Sequence, residues 1–114
     1  MTDSAWAKEF PGSMTVCDRT GKILMMNDAA CRTFAKEGGE ALIGKSLVDC
    51  HPPAAREKLL ALLREGRTNV YTIEKNGKKK LVYQAPWYAK GEYAGLVELS
   101  LEIPLELPHF VRKP

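Results

Sequence analysis

The sequence predicts an α+β domain: one antiparallel sheet of five strands, with short helices inserted between the second strand and the third. Three observations lead there. Two strand-like segments, "SMTVCD" (13–18) and "KILMMN" (22–27), surround the turn "DRTG" near the start. Segments with helical patterning and helix stops fill residues 28–66. Three more strand-like segments follow: "TNVYTIEK" (68–75), "KKLVYQAPWY" (79–88) and "GEYAGLVELSLEI" (91–103). The first two of these flank Asn76-Gly77, a strong hairpin signal. Helices inserted into the middle of one antiparallel sheet give an α+β fold.

Each element has its own signal. Residues 1–10 read as a flanking helix or cap, with Trp6 and Phe10 on one side and Pro11-Gly12 as its stop. Asn27 is a good N-cap for "DAACRTFAKE" (28–37), which would turn Ala30 and Phe34 to the core. Gly38-Gly39 ends that helix. Residues 40–49 read as short helical turns broken by Gly44. Asp49 can cap the next helix, and proline suits a first helical turn because its missing N–H needs no partner there. From Pro53 to Glu65, Ala55, Leu59, Leu62 and Leu63 form one apolar stripe, and Gly66 ends the run. Pro86 suggests a sheet edge or a bulge.

On the last strand Tyr93, Val97, Leu99, Leu101 and Ile103 point one way, and Glu92, Glu98, Ser100 and Glu102 the other. One face is therefore expected to be buried, the other wet or covered by a partner. The main domain spans residues 11–104. The tail 105–114 contains prolines and is expected to dock along the domain or a partner, with Leu107 and Phe110 as anchors.

Composition narrows the function classes. The 114 residues suit one domain with one core, and 45% hydrophobic with 27% charged residues argues against disorder. A net charge of +3 falls short of what a nucleic-acid reader usually carries, so no direct nucleic-acid partner is expected. The dense basic run "KNGKKK" (75–80) sits on the expected hairpin turn and reads as solvated. No apolar run approaches the ~18 residues of a membrane span. "MTDSAWAKEF" lacks the apolar centre of a signal peptide. The expectation is a cytoplasmic protein that does not meet a membrane. Three cysteines without CxxC spacing argue against a disulfide framework or a closed zinc site, and Cys17 and Cys31 read as buried thiols. There is no Ser/His/Asp order, no HExxH and no glycine-rich phosphate loop, and only two histidines are present, so catalysis is not expected.

The stretch "VCDRTGKILMMNDAACRTFAKEGGEALIGKSLVD" (16–49) resembles the PAS sensor family. The features that carry the likeness are Asp18 after the first strand, the turn Gly21-Lys22-Ile23, and Asn27 leading into an alanine-rich helix. Phe34 then stands ahead of Leu42-Ile43-Gly44-Lys45-Ser46, and "GEYAGLVELSLEI" looks like the family's last strand. The likeness covers roughly residues 10–104. Cys50-His51-Pro52-Pro53 also looks like the Cys-His-Pro-Pro of some prokaryotic PAS modules. The resemblance implies a five-stranded sheet, helices over one face and a pocket between them. It implies a non-catalytic module that senses a small molecule, cofactor or redox state and signals as a homodimer or through a partner protein.

On that footing Met25, Phe34, Leu59, Leu63, Tyr83 and Trp87 are candidates to line the pocket, with Cys50 and His51 at its mouth. The same apolar residues also read as plain core packing. His51 could ligate a haem, as a histidine on this helix does in some family members, although His51 precedes the helix. The alternative is that Cys50-His51-Pro52-Pro53 only positions the helix start, with His51 held by a hydrogen bond. A purely structural dimerisation domain is a third reading.

Overall fold

The structure, a computed structural model, describes residues 5–114. Its elements run α1 (Ala5–Lys8), β1 (Ser13–Asp18), β2 (Ile23–Met26), α2 (Asp28–Thr33), two 3₁₀ turns (Ala35–Glu37 and Gly39–Leu42), α3 (Pro53–Glu65), β3 (Asn69–Lys75), β4 (Lys78–Ala89) and β5 (Glu92–Ile103). The five strands form one antiparallel sheet in the order β2-β1-β5-β4-β3. The helical block crosses from one edge strand, β2, to the other, β3, and so covers one face. This is the α+β fold that the sequence predicts. Among the described residues no helix is long and apolar enough to cross a membrane.

Local chemistry sets most boundaries. Asn27 caps α2, its Oδ1 accepting from the Ala30 amide at 3.0 Å. The helix is shorter than its pattern suggests. It ends at Thr33, whose hydroxyl donates to the Ala29 carbonyl, and the chain tightens into 3₁₀ turns at Gly38 and Gly39. The loop after Gly44 runs alongside β2: the Gly44 amide donates to the Ile23 carbonyl and the Ile23 amide to Lys45. Helix α3 begins at Pro53 as expected, but Asp49 does not cap it. Pro52 holds the cap position and its carbonyl accepts the Ala55 and Arg56 amides. Gly66 closes the helix in the left-handed conformation. Asn76 and Gly77 both have positive φ, as a two-residue hairpin turn demands. Pro86 pairs with Leu96, and β3 ends opposite Gln84, so the other side of Pro86 has no strand partner.

The core lies between the sheet and the helices. Cys17, Ile23, Met26, Ala30, Leu42, Leu47, Leu59, Leu62, Leu63 and Leu96 form one buried cluster. In the short first helix the buried residue is Ala7; Trp6 is 69% exposed, so the expected shared Trp6–Phe10 face does not form. The first four residues of the expected 1–10 helix lie outside the described ones.

The face of β5 differs from expectation. Leu96 pairs with Cys17 and Glu98 with Thr15, and Leu96, Cys17 and Thr15 are all buried under the helices. The even-numbered set therefore faces inward. Val97, Leu99, Leu101 and Ile103 lie on the outer face, only partly covered, with Gly12 and Phe10 against Leu101. Tyr93 leaves that set and packs against Gly66, its hydroxyl donating to the Leu63 carbonyl at 2.7 Å. Gly95, at φ +155°, breaks the alternation between them. A Cβ there would lie 1.9 Å from the Cys17 carbonyl oxygen, so the close approach requires glycine. The tail is exposed, Leu107 at 56% and Phe110 at 71%, so neither anchors it on this domain.

Candidate functional site

One cross-strand row on the inner face is polar. Thr15 on β1 stands opposite Glu98 on β5, Glu98 opposite Gln84 on β4, and Gln84 opposite Asn69 on β3. Within the row Asn69 Nδ2 donates to Gln84 Oε1 at 2.8 Å, and Gln84 stands beside Glu98 across β4 and β5. Glu98 is enclosed enough that burial pushes its carboxyl pKa up. Its carboxylate is therefore held under desolvation, with neutral partners beside it.

Above the row sits the corner before α3. His51 Nδ1 bonds the Leu47 carbonyl at 2.7 Å. A carbonyl only accepts, so Nδ1 carries the proton and Nε2 is the acceptor in the neutral ring. Arg56 ties the corner down, its Nε donating to the His51 carbonyl at 2.7 Å and a terminal nitrogen to Asp49 at 3.3 Å. The Cys50 thiol donates to the Ser46 carbonyl at 3.3 Å. Cys50-His51-Pro52-Pro53 is thus a stapled turn that holds one imidazole over the sheet.

Two cavities flank that imidazole. One, of about 140 Å³, lies under α3 between His51, Ala55, Leu59, Leu62, Asn69 and Gln84, with Lys58 and Tyr71 at its lip. The other, of about 210 Å³, lies on the α2 side, with Thr15, Ile23, Met26, Phe34, Leu47, Cys50, His51 and the carboxylate Glu37 among its lining. Thr15 borders one and Gln84 the other. Glu98 stands between those two residues in the row but lines neither chamber; His51 is the residue that borders both.

The residues singled out in the sequence are placed as follows. Phe34, Cys50, His51 and Leu59 line the chambers. Leu63 is buried in the core beside them. Met25 and Tyr83 are on the other face: Met25 pairs with Val16 and Tyr83 with Leu99, both outward. Strand alternation decides this, since their neighbours Met26, Val82 and Gln84 are the buried ones. Trp87 lies across Gly95, and its indole N–H donates to the Cys17 carbonyl at 2.9 Å, a bond that locks the sheet. Sequence reading missed Thr15, Asn69, Gln84 and Glu98. The available signal was Gln84, a polar residue two positions from Val82 in a strand where inward residues alternate.

A haem fits the donor but not the space. His51 Nε2 is free and its ring is oriented by a carbonyl, as metal-ligating histidines usually are. At ~30 Å³ per water-sized group, the chambers hold about five and about seven such groups. That is far less than a porphyrin needs. Among the described residues no group of three His, Cys, Asp or Glu side chains could hold a metal ion.

Comparison with known proteins agrees with the fold. The family model described as PAS fold matches residues 8–103. The PAS domain of BvgS from Bordetella pertussis is 25% identical, with a TM-score of 0.61 over 85% of this chain and 80% of that one. A C-terminal domain from Streptococcus mutans is 22% identical, with a TM-score of 0.66 over 83% and 78%. The Aer2 receptor of Vibrio cholerae, described as a dual PAS-haem oxygen sensor, is 18% identical, with a TM-score of 0.56 over 82% and 95%. No curated protein matches the chain closely. Related folds occur in sensor histidine kinases and receptors. With 96 consecutive residues matched by the family model and this sheet order under a helical cover, the chain belongs to the PAS family of sensory and signalling modules.

Proposed function

We propose that the chain is a non-catalytic sensory module that holds a small molecule between α3 and the inner face of the sheet. Occupancy would change the contacts this domain makes with a second copy or a signalling partner. One observation carries the reading: between the inner face of the sheet and its helical cover two chambers meet at His51, one over β1 and β2 and one over β3 and β4. A domain that needed only stability would fill that space with apolar side chains. The surface suited to output is the outer face of the sheet, where Leu99 and Leu101 are part-covered and Tyr83 and Val70 are exposed.

The test is a titration of the purified protein with small molecules, followed by amide NMR and by sedimentation. A bound molecule should move the amides of Ala55, Leu59 and Gln84 and shift the association state or the affinity for a partner. Turnover of a substrate would overturn the reading, as would ligand-induced changes confined to the outer face.

A further inference from the structure

The two edges of the sheet are finished differently. At β2 the loop after Gly44 covers the edge: the Gly44 amide donates to the Ile23 carbonyl at 2.8 Å, the Ile23 amide to the Lys45 carbonyl at 2.9 Å, and Lys22 bridges to Ser46. β3 has no such cover. Among the described residues no backbone hydrogen bond reaches the side of β3 that faces away from β4. Edge strands of monomers are usually short, bulged, or interrupted by proline or lysine. β3 is seven residues long and pairs with β4 without a register shift. Val70, Tyr71, Thr72 and Ile73 follow one another along it, all exposed, before its first charge at Glu74.

The hairpin decides which groups on that edge are open. Asn76-Gly77 joins β3 to β4 through a two-residue turn whose closing pair is Lys75 and Lys78. Such a closing pair exchanges both backbone hydrogen bonds, and bonded pairs then alternate along the ladder. Lys75, Ile73, Tyr71 and Asn69 therefore direct their N–H and C=O groups to β4, while Glu74, Thr72 and Val70 direct theirs to the open edge. We propose that a second copy of this chain completes the sheet there, β3 against β3, antiparallel, about a two-fold axis at Thr72. In this register Thr72 of one copy faces Thr72 of the other, and Val70 faces Glu74 on both sides of the axis. Each is a bonded pair, which gives about six backbone hydrogen bonds. Between them Tyr71 meets Ile73 in the closer, non-bonded pairs, an aromatic ring against a β-branched side chain. No like charges stand opposite each other. An axis at Tyr71 would set Arg67 against Lys75, and an axis at Ile73 would set Val70 against the turn residue Asn76, so Thr72 is the favoured centre. The pairing needs no ligand and stands apart from the sensory reading above. It names the contact with a second copy that the reading leaves open, on a strand that also lends Asn69 and Tyr71 to the smaller chamber.

Sedimentation of the unaltered chain over a concentration series, in reductant and without any added ligand, should show a monomer–dimer equilibrium. Thr72→Pro removes an N–H that β4 does not use, so the domain's own ladder is kept while the dimer loses a bond from each copy. It should weaken association about tenfold or more. Thr72→Lys, which sets two ammonium groups opposite each other on an exposed position, should do the same with the circular dichroism of the fold unchanged. Under mild oxidation Thr72→Cys should give a covalent dimer in excess of the unaltered chain. Val70→Cys should not, because the two copies of residue 70 lie about 14 Å apart along the paired strands, beyond disulfide reach. A chain that stays monomeric at every concentration overturns the proposal. So does a dimer that both Thr72→Pro and Thr72→Lys leave intact, or one that Val70→Cys cross-links as well as Thr72→Cys does. None of these results touches the chamber reading, which the amides of Ala55, Leu59 and Gln84 test separately.

Discussion

Asn27 and Glu98 are both polar side chains drawn into the interior, and their surroundings differ. Asn27 is 2% exposed and uses its whole capacity. Its Oδ1 accepts from the Met14 amide at 2.9 Å and the Ala30 amide at 3.0 Å; its Nδ2 donates to the Ala7 carbonyl at 3.0 Å and the Gly12 carbonyl at 2.8 Å. One amide thus ties α1, the approach to β1 and the start of α2 to one point. Glu98 stands between Thr15 and Gln84 in the polar row, and burial pushes its carboxyl pKa up. A buried polar group with every bond satisfied fixes a structure. One held under desolvation weakens its own ionised form and makes stability depend on pH.

The largest effect is expected at Asn27. Asn27→Ala removes four hydrogen bonds and should destabilise the domain by about 4 kcal/mol, at roughly 1 kcal/mol for each bond. Thermal or urea unfolding measures it; a loss under about 1 kcal/mol would mean that water replaces the amide and that the contrast with Glu98 is overstated.

Packing should show the same difference. Leu62 is 1% exposed, and Leu62→Ala should lose about 3 kcal/mol through the cavity it leaves. Ala55→Leu adds volume to a helix position that faces the smaller chamber, and should change stability by less than about 1 kcal/mol. Equal penalties for the two variants would show that the chamber region is as tightly filled as the core.

His51→Gln should lose about 1 kcal/mol, the bond to the Leu47 carbonyl, with the fold retained. If circular dichroism instead shows α3 lost, the imidazole carries the corner and Arg56 does not.

Glu98→Gln is expected to have the smallest effect and the opposite sign. The native pKa of Glu98 lies above the ordinary 4.5, so the folded state binds that proton more tightly than the unfolded chain. Its ionisation therefore lowers stability as pH rises from about 4.5 through the raised native value, and the full penalty persists above it. Glu98→Gln removes this penalty. Melting curves should show a gain near pH 8 that fades toward pH 4; a gain independent of pH, or a loss at pH 8, would show that the carboxylate is well solvated.

Much of the fold was legible because its signals are local. Asn27 before an alanine-rich run, Gly66 after an apolar stripe and Asn76-Gly77 between two strand-like segments each act within a few residues. Proline placement likewise announced the start of α3, although its cap came from Pro52 rather than Asp49. Cys50, His51, Phe34 and Leu59 could be singled out because a helix start and its stripe leave a sequence pattern, and all four border the chambers.

The sequence by itself determined which elements form, their order, and the turn chemistry that joins them. Only the tertiary structure decided which face of the sheet each strand residue serves. Side chains alternate with a period of two, so direction depends on register, and register is set by distant pairings and by bulges at Val16/Cys17 and Trp87/Tyr88. That is why the apolar set of β5 lies outward while Glu98 lies inward, and why Met25 and Tyr83 miss the chambers. The polar row joins residues 15, 69, 84 and 98, which no local pattern links. It exists because four paired strands, β1, β5, β4 and β3, align those four positions.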